Sequence, residues 1–547
     1  MTKKFIFTLV IITLIVLLFP INTAAYFEPE VYRRSLLEIR AAERALNDLD
    51  KKLTAAENNF RIMDQSIIDK ELGEINLLYS EIQQAYQNED DSQLEKLSNQ
   101  IIEASNQIIL QTVESKPVQL RAFWLDSGTL AKTEGREGVR KLLDLAEKAN
   151  FNAVFPETFY KGMALIPDNE LFVQDPRFKS WQEDPLKVLV EEAAARNIEV
   201  HPWVWVFNEN TAGSPGRILT ENPDWANKNK KGEIVSYHNS TWLSPARKDV
   251  RDYLQERYVY LVENYDLDGL NLDYIRFPEE YRGSFGYDSV SVEKFKEEFE
   301  LDPFEIKSGS SEFAIWNQYR EDLITKMVRE TSQKLKAAEP DLLISADVIP
   351  GREEARYRAL QNWSYWLQES YIDFVLPMTY TENLFSELSS WVKEDRDEIA
   401  GPLYAGISVF KLSPEQVISQ IEEINQINPN GLSLFAAAHL TENDYQTLAQ
   451  GVFAEPALIP HKNKKESLAK MQDFILKRLN IITEAEQIKN EDLIKIRSFV
   501  SQIDQDQSIS DLNFAKFVEE NELKISEKAV RVLESDFNYL KSIMTSY

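Results

Sequence analysis

Between residues 120 and 455, short apolar runs alternate eight times with amphipathic stretches, and nothing else in the chain restricts its fold so strongly. The runs are 120–126, 153–160, 199–207, 267–277, 342–349, 372–380, 402–410 and 431–439; helical patterns fall at 138–149, 185–195, 247–263, 364–370, 414–427 and 444–453. Strands that are apolar throughout suit a parallel sheet covered on both faces, and parallel neighbours need a helical crossover between them. Repeated eight times, the unit predicts a (β/α)8 TIM barrel over 117–458, with insertions after its second, third and fourth strands. The alternative is an open doubly wound sheet. It would carry a glycine-rich phosphate loop after the first strand, and this chain has none there.

Helical segments flank the barrel. From 28 to 115 the chain is rich in Leu, Ile, Glu, Lys and Gln, with Leu46, Leu49 and Leu53, then Leu94, Leu97, Ile101 and Ile102, at helical spacing. This predicts an all-α amino-terminal module over 26–116 with three helices, and Ser92 with Glu95 has the spacing of a capping box at one helix start. Leu468, Met471, Phe474 and Ile475, followed by Phe514, Phe517, Val518, Val532, Leu533, Phe537 and Leu540, predict an all-α carboxy-terminal module over 459–547. Barrel termini lie close together, so the two modules are expected to meet. Ahead of them, Lys3 and Lys4, an apolar run at 5–19 and Thr23-Ala24-Ala25 read as a secretory signal over 1–25. The apolar run is shorter than the ~20 residues of a membrane span, so cleavage is expected, an uncleaved anchor being the other possibility. Both place the body of the protein in the cell envelope or outside the cell.

The 547 residues carry 61 Lys+Arg against 90 Asp+Glu, a net charge of −29, which repels the phosphates of nucleic acid. With no cysteine, thiolate catalysis, disulfides and cysteine-ligated zinc are excluded. His-Glu-x-x-His, EF-hand and Gly-x-Ser-x-Gly patterns are also missing, so neither a metal nor a cofactor is expected.

In a barrel, the carboxyl ends of the strands converge on one pocket. Read in order, they offer Trp124 and Asp126; Glu157 and Tyr160; His201, Trp203, Trp205 and Asn208; Asn271, Asp273 and Arg276; Asp347; Tyr380 and Glu382; and His439. Aromatic faces stack on sugar rings while carboxylates and amides hold hydroxyls, which suits a neutral poly- or oligosaccharide. Cleaving a glycosidic bond takes two carboxyl groups, one ionised and one protonated. Asp273, at the end of Leu270-Asn271-Leu272-Asp273 with Arg276 nearby, is the candidate for the ionised member. Asp347, Glu382 and Glu157 are candidates for its partner, and the sequence does not choose among them. Trp203 and Trp205 share one face of their strand, inside or outside the barrel.

Arg121-Ala122-Phe123-Trp124, Asn152-Ala153-Val154-Phe155, Glu199-Val200-His201-Pro202-Trp203 and Asp268-Gly269-Leu270-Asn271-Leu272-Asp273 occur in that order. Together they resemble the bacterial family-10-like glycosyl hydrolases, (β/α)8 envelope or secreted proteins with members acting on peptidoglycan glycan strands. The resemblance covers roughly 118–455 and implies that Asp273 is a catalytic carboxylate. The family usually has a second aspartate where this chain has Tyr274, and an Arg-Pro-x-x-Asp segment where this chain has Pro156-Glu157-Thr158. Asp-Tyr-Ile-Arg-Phe-Pro and Ser-Ala-Asp-Val look instead like a neighbouring group of barrel glycosidases in which the fourth- and fifth-strand aspartates stand out. The expected function is thus a secreted glycoside hydrolase. The reading from a different class is a catalytically silent, glycan-binding barrel or envelope scaffold that works through its helical modules. Nothing in the sequence gives the oligomeric state.

Overall fold

The structure, a computed structural model, describes residues 29–88, 90–236, 238–279, 285–382, 387–399, 401–503 and 513–545. The expected signal at 1–25 lies outside them. Eight parallel strands form the predicted barrel: β1 (Leu120–Leu125), β2 (Ala153–Tyr160), β3 (Trp203–Trp205), β4 (Gly269–Asp273), β5 (Leu343–Val348), β6 (Phe374–Pro377), β7 (Tyr404–Ser408) and β8 (Gly431–Phe435). They pair in the order β6-β5-β4-β3-β2-β1-β8-β7. Parallel bridges from Val375 to Leu403 and from Met378 to Gly406 join β6 to β7 and close the ring. Apart from the first residue of β5 and the last residues of β7 and β8, every strand residue is buried, as the unbroken apolar runs require.

All the strands but β2 are shorter than their runs, the sixth shrinking to Phe374–Pro377 and the seventh to Tyr404–Ser408, and three of the differences have a local cause. The third run is two pieces, Glu199–Val200 and β3, because Pro202 has no N–H to give to a ladder. The fourth stops at Asp273, because Tyr274 turns out of the strand with φ 52°. The eighth ends at Phe435 and passes into a 3-10 turn at Ala437–His439. The insertion after β4 holds two helices that the periodicity reading did not place, Ser289–Phe299 and Ser311–Ala338. Phe295, Trp316 and Tyr319 knit them into a small core of their own, and the longer helix packs on Lys248–Asn264 as the crossover to β5.

Helices Pro29–Asn58, Gln65–Gln87 and Asp91–Gln111 share a core containing Leu46, Leu49, Leu53, Leu94, Leu97 and Ile101. The third starts on Asp90, whose side chain accepts from the Gln93 N–H at 3.0 Å, so Asp90 and not the Ser92/Glu95 pair caps it. Helices Lys464–Glu484, Asn490–Ser501, Phe514–Glu520 and Glu527–Thr545 enclose a second core that takes in Phe60 and Val118. This layer covers the amino-terminal ends of the barrel strands. Tyr539 donates to the Val118 carbonyl, and Asn428 and Asn430 donate to the carbonyls of Ser535 and Ser542. At its centre the buried Arg478 guanidinium bonds Glu114 at 2.6 Å, Asp536 at 2.8 Å and the Phe60 carbonyl at 2.9 Å, tying both helical segments to one point. Among the described residues no helix is long and apolar enough to cross a membrane.

Candidate active site

Asp273 ends β4 and Asp347 lies near the end of β5. The register pairs Asn271 with Ser345 and Leu272 with Ala346, which makes Asp273 and Asp347 the next neighbours toward the mouth. Adjacent strands run about 4.8 Å apart, so the two carboxyl groups emerge side by side. Both are buried, at 6% and 2% exposure.

Their surroundings differ. Asp273 accepts from the Trp203 indole N–H at 2.9 Å and from the Tyr274 backbone N–H at 2.6 Å. Burial lifts its carboxyl to about 6, against the pull of the Arg276 guanidinium and these two donors. Asp347 accepts from the Trp124 indole N–H at 3.2 Å and from Asn271 Nδ2 at 3.1 Å, both neutral donors. Burial first, and then the charge of Asp273, push it well above the usual carboxylate range. These surroundings favour the proton on Asp347 over Asp273.

The tryptophans that hold these carboxyls face the barrel interior. Trp203 and Trp124 meet Phe435 at ring separations of 6.2 and 5.8 Å, and Tyr380 stacks on Phe435 at 5.1 Å. The space for Trp124 comes from Gly406 on β7, where a Cβ would lie 3.1 Å from the indole and 2.9 Å from the Pro377 carbonyl. Trp205 is flanked by Tyr274 at 4.8 Å and Tyr160 at 6.4 Å, and its indole N–H has no hydrogen-bond partner. Arg276 lies over the rings of Trp242 and Tyr274, at 5.5 and 5.4 Å from their centroids. Asn208 is buried on the β3 side with its Oδ1 unpartnered.

Glu157, opposite Trp203 in register, is buried, and burial raises its carboxyl even though Ser127 donates to it from N–H at 3.0 Å and from Oγ at 2.5 Å. It belongs to a network in which Arg177 reaches Ser127 Oγ at 2.9 Å and the Tyr160 hydroxyl at 3.1 Å, while that hydroxyl donates to Asp175 at 2.6 Å. Tyr160 is thereby fixed as part of the wall.

Four candidates sit elsewhere than expected. Asp126 caps the short helix Ser127–Ala131, accepting from the Thr129 N–H and hydroxyl, both at 2.8 Å, so its oxygens are turned from the pocket. His201 is fully buried at the floor of the barrel, between Phe155 and Phe374 and against Gly269, where a Cβ would meet its Nδ1 at 2.2 Å. Glu382 is an exposed rim residue with Lys411 at 3.7 Å, away from the buried pair. His439 is exposed in the turn after β8.

The sequence reading missed Phe435, Trp242 and the Ser127–Asp175–Arg177 network. Phe435 stands at a strand end and was open to the same rule that found Trp124. Trp242 and the network come from insertions whose approach to the mouth leaves no local pattern.

Among the described residues, one group has the makings of a metal site: Glu199, His201 and His461, whose ligand atoms lie within 4.8 Å of one another. It is at the floor of the barrel. Both imidazole Nε2 atoms already meet Glu199 Oε2, at 3.2 and 2.7 Å, and the Lys462 ammonium is 3.5 Å from the other oxygen, so the carboxylate's charge is balanced without an ion.

A closed parallel barrel with two buried carboxyls side by side among aromatics at its mouth is the arrangement of a glycoside hydrolase of the (β/α)8 type. Residues 119–420, more than half of the chain, match the glycosyl hydrolase-like 10 family, and the protein belongs to it. The chain is similar to Glycosyl hydrolase YngK of Bacillus subtilis (strain 168), 23% identical over 443 residues that cover 70% of this chain and 80% of that protein. It is also similar to Glycosyl hydrolase DigH of Escherichia coli (strain K12), 22% identical over 312 residues, 52% of this chain and 68% of the relative. Among solved structures, alpha-L-fucosidase isoenzyme 2 from Paenibacillus thiaminolyticus superposes with a TM-score of 0.43 at 15% identity, covering 62% of this chain and about half (49%) of the fucosidase.

Proposed function

We propose that this protein cleaves O-glycosidic bonds of a cell-envelope glycan outside the cytoplasm, with Asp273 as nucleophile and Asp347 as proton donor. One observation carries the reading: two carboxyls adjacent in register, one beside a guanidinium and accepting two N–H donors, the other with neutral donors alone. A spacing near 5 Å suits attack by the enzyme's own carboxylate, whereas ~6.5–9.5 Å would leave room for a water between them. A bond forms between Asp273 Oδ and the anomeric carbon as the carbon–oxygen bond to the leaving sugar breaks, and the Asp347 proton passes to that oxygen. The resulting Asp347 carboxylate then takes a proton from water, whose oxygen displaces Asp273 and restores both groups. The anomeric configuration is retained. Trp203 and the Tyr274 N–H hold the attacking carboxylate, and Trp124 and Asn271 hold the acid.

Export is supported by the Lys3-Lys4, apolar and Thr23-Ala24-Ala25 pattern, a carbohydrate substrate by the glycosyl hydrolase relatives and the sugar-stacking aromatics, and an envelope glycan by the resemblance of the four strand motifs to the family-10-like glycosyl hydrolases. Peptidoglycan glycan strands freed of their peptides are the first substrate to try. Release of reducing ends should fall by about 10³-fold or more in Asp273→Asn and Asp347→Asn, with retention read from the first-formed anomer by NMR. Wild-type release persisting in Asp273→Asn, or an inverted product, sinks the assignment; a barrel that binds the strands and cuts none is the silent glycan binder.

A further inference from the structure

One aromatic pair at the mouth is used neither by the core nor by the carboxyls. Phe410, two residues beyond the end of β7, is 46% exposed, and the His439 ring lies 5.1 Å from it at 58°. The Val409 N–H bonds the Phe435 carbonyl at 3.0 Å, which anchors this corner to the end of β8. The Lys411 ammonium stands 4.7 Å from the Phe410 centroid on a side chain that is 61% exposed. A single exposed apolar residue is ordinary, but a phenyl ring flanked by an imidazole and a cation at the mouth of a sugar-cleaving barrel has the make-up of a sugar platform. The ring offers an apolar face, and the two neighbours offer polar atoms to hydroxyls.

Its position around the ring gives it a purpose. β7 lies four strands from β3, and β8 four strands from β4, whichever way the eight are counted. The Phe410–His439 pair is therefore diametrically across the mouth from Tyr274, Trp205 and Trp242, which form the aromatic bank beside Asp273. The carboxyl pair and the inner aromatics Tyr380 and Phe435 sit between the two banks. A ligand of one or two sugars at Asp273 leaves the far bank unused, whereas a chain of several sugars crosses both.

We propose that Phe410 and His439 form a sugar-stacking subsite across the mouth from Asp273, so that the enzyme grips an extended, unbranched glycan on both sides of the cleaved bond and cuts within it. The inference rests on the carboxyl pair being the cleavage site. Phe410→Ala removes an exposed ring and leaves the core and both carboxyls untouched. On peptide-free peptidoglycan strands its KM should rise about tenfold with kcat unchanged. In the Asp273→Asn protein, adding Phe410→Ala should weaken binding of chitohexaose about tenfold and leave chitobiose unaffected, with His439→Ala acting in the same direction. Wild-type protein should yield fragments of intermediate length first. Unchanged KM and unchanged hexaose binding in Phe410→Ala, or release of single sugars from chain ends, would overturn the subsite while Asp273→Asn still abolished cleavage. Strands left uncut by the wild type would instead overturn the envelope-glycan reading, and the subsite with it.

Discussion

Buried carboxylates occur at both ends of this barrel, and the two ends treat them in opposite ways. At the floor, Glu199 meets two imidazoles and the Lys462 ammonium, and Glu114 and Asp536 share the Arg478 guanidinium. Burial pushes Glu199 and Glu114 up, but these partners outweigh it, leaving Glu199 well below the usual range and Glu114 at about 2. At the mouth, Asp273 has the Arg276 field and two N–H donors, and Asp347 has neutral donors; both end above the usual range. The same chemistry, buried to a similar depth, yields ion pairs that hold the helical layer to the barrel in one place and carboxyls raised above their usual range in the other. What separates them is whether the fold brings a cation into contact.

The largest effect that would break this contrast is at the floor. Arg478→Met leaves Glu114 and Asp536 buried without their cation and should cost about 3–5 kcal/mol in urea unfolding; a cost under ~1 kcal/mol would mean the pairs contribute no more than a surface bridge.

The next test sets the two ends against each other by pH. Glu199 has a folded pKa below its unfolded value of ~4.3, so its contribution is present above that pH and lost as pH falls below it. Glu199→Gln should therefore lower Tm at pH 7 and matter progressively less toward pH 3. Asp273 has its folded pKa raised to about 6, so its ionisation opposes folding increasingly as pH climbs from ~3.9 to 6, and fully above that. Asp273→Asn should raise Tm by roughly 2–4 °C at pH 8 and leave it unchanged near pH 3.5. Shifts of the same sign in both variants at pH 8 would erase the distinction.

Smaller effects sharpen the picture at the mouth. Trp203→Phe deletes one of the two N–H donors to Asp273, so kcat/KM at pH 5.5 should drop about tenfold, with less loss at pH 8. Glu382→Gln, at an exposed rim pair, should change kcat/KM less than about twofold.

Much of this was legible in the sequence. The eight strands were, because each is a short apolar run ended by polar or turn residues, and so was Asp273, because Leu270-Asn271-Leu272-Asp273 fixes a strand and its exit. Depth inside the barrel was not. His201 reads as a mouth residue until Pro202 splits its strand and drops the imidazole onto Gly269 at the floor. Asp126 carried its own correction, since Asp-x-x-Thr before a helix is capping spacing. Asp347 and Glu382 could not be ranked because where each carboxyl settles depends on other segments of the chain, Trp124 for Asp347 and Lys411 for Glu382. The inward orientation of Trp203 and Trp205 likewise depended on Phe435 and Tyr274 arriving from other strands.

The central claim is that Asp273 works as a carboxylate with a raised pKa beside a protonated Asp347, and the pH dependence of kcat/KM on peptide-free glycan strands tests it most directly. The account predicts a bell-shaped profile in which activity is lost as pH falls through about 6, set by the pair with Asp273 as its more acidic member. An acid limb in the ordinary carboxylate range near ~4, or a profile that Asp273→Asn leaves in place, would contradict it.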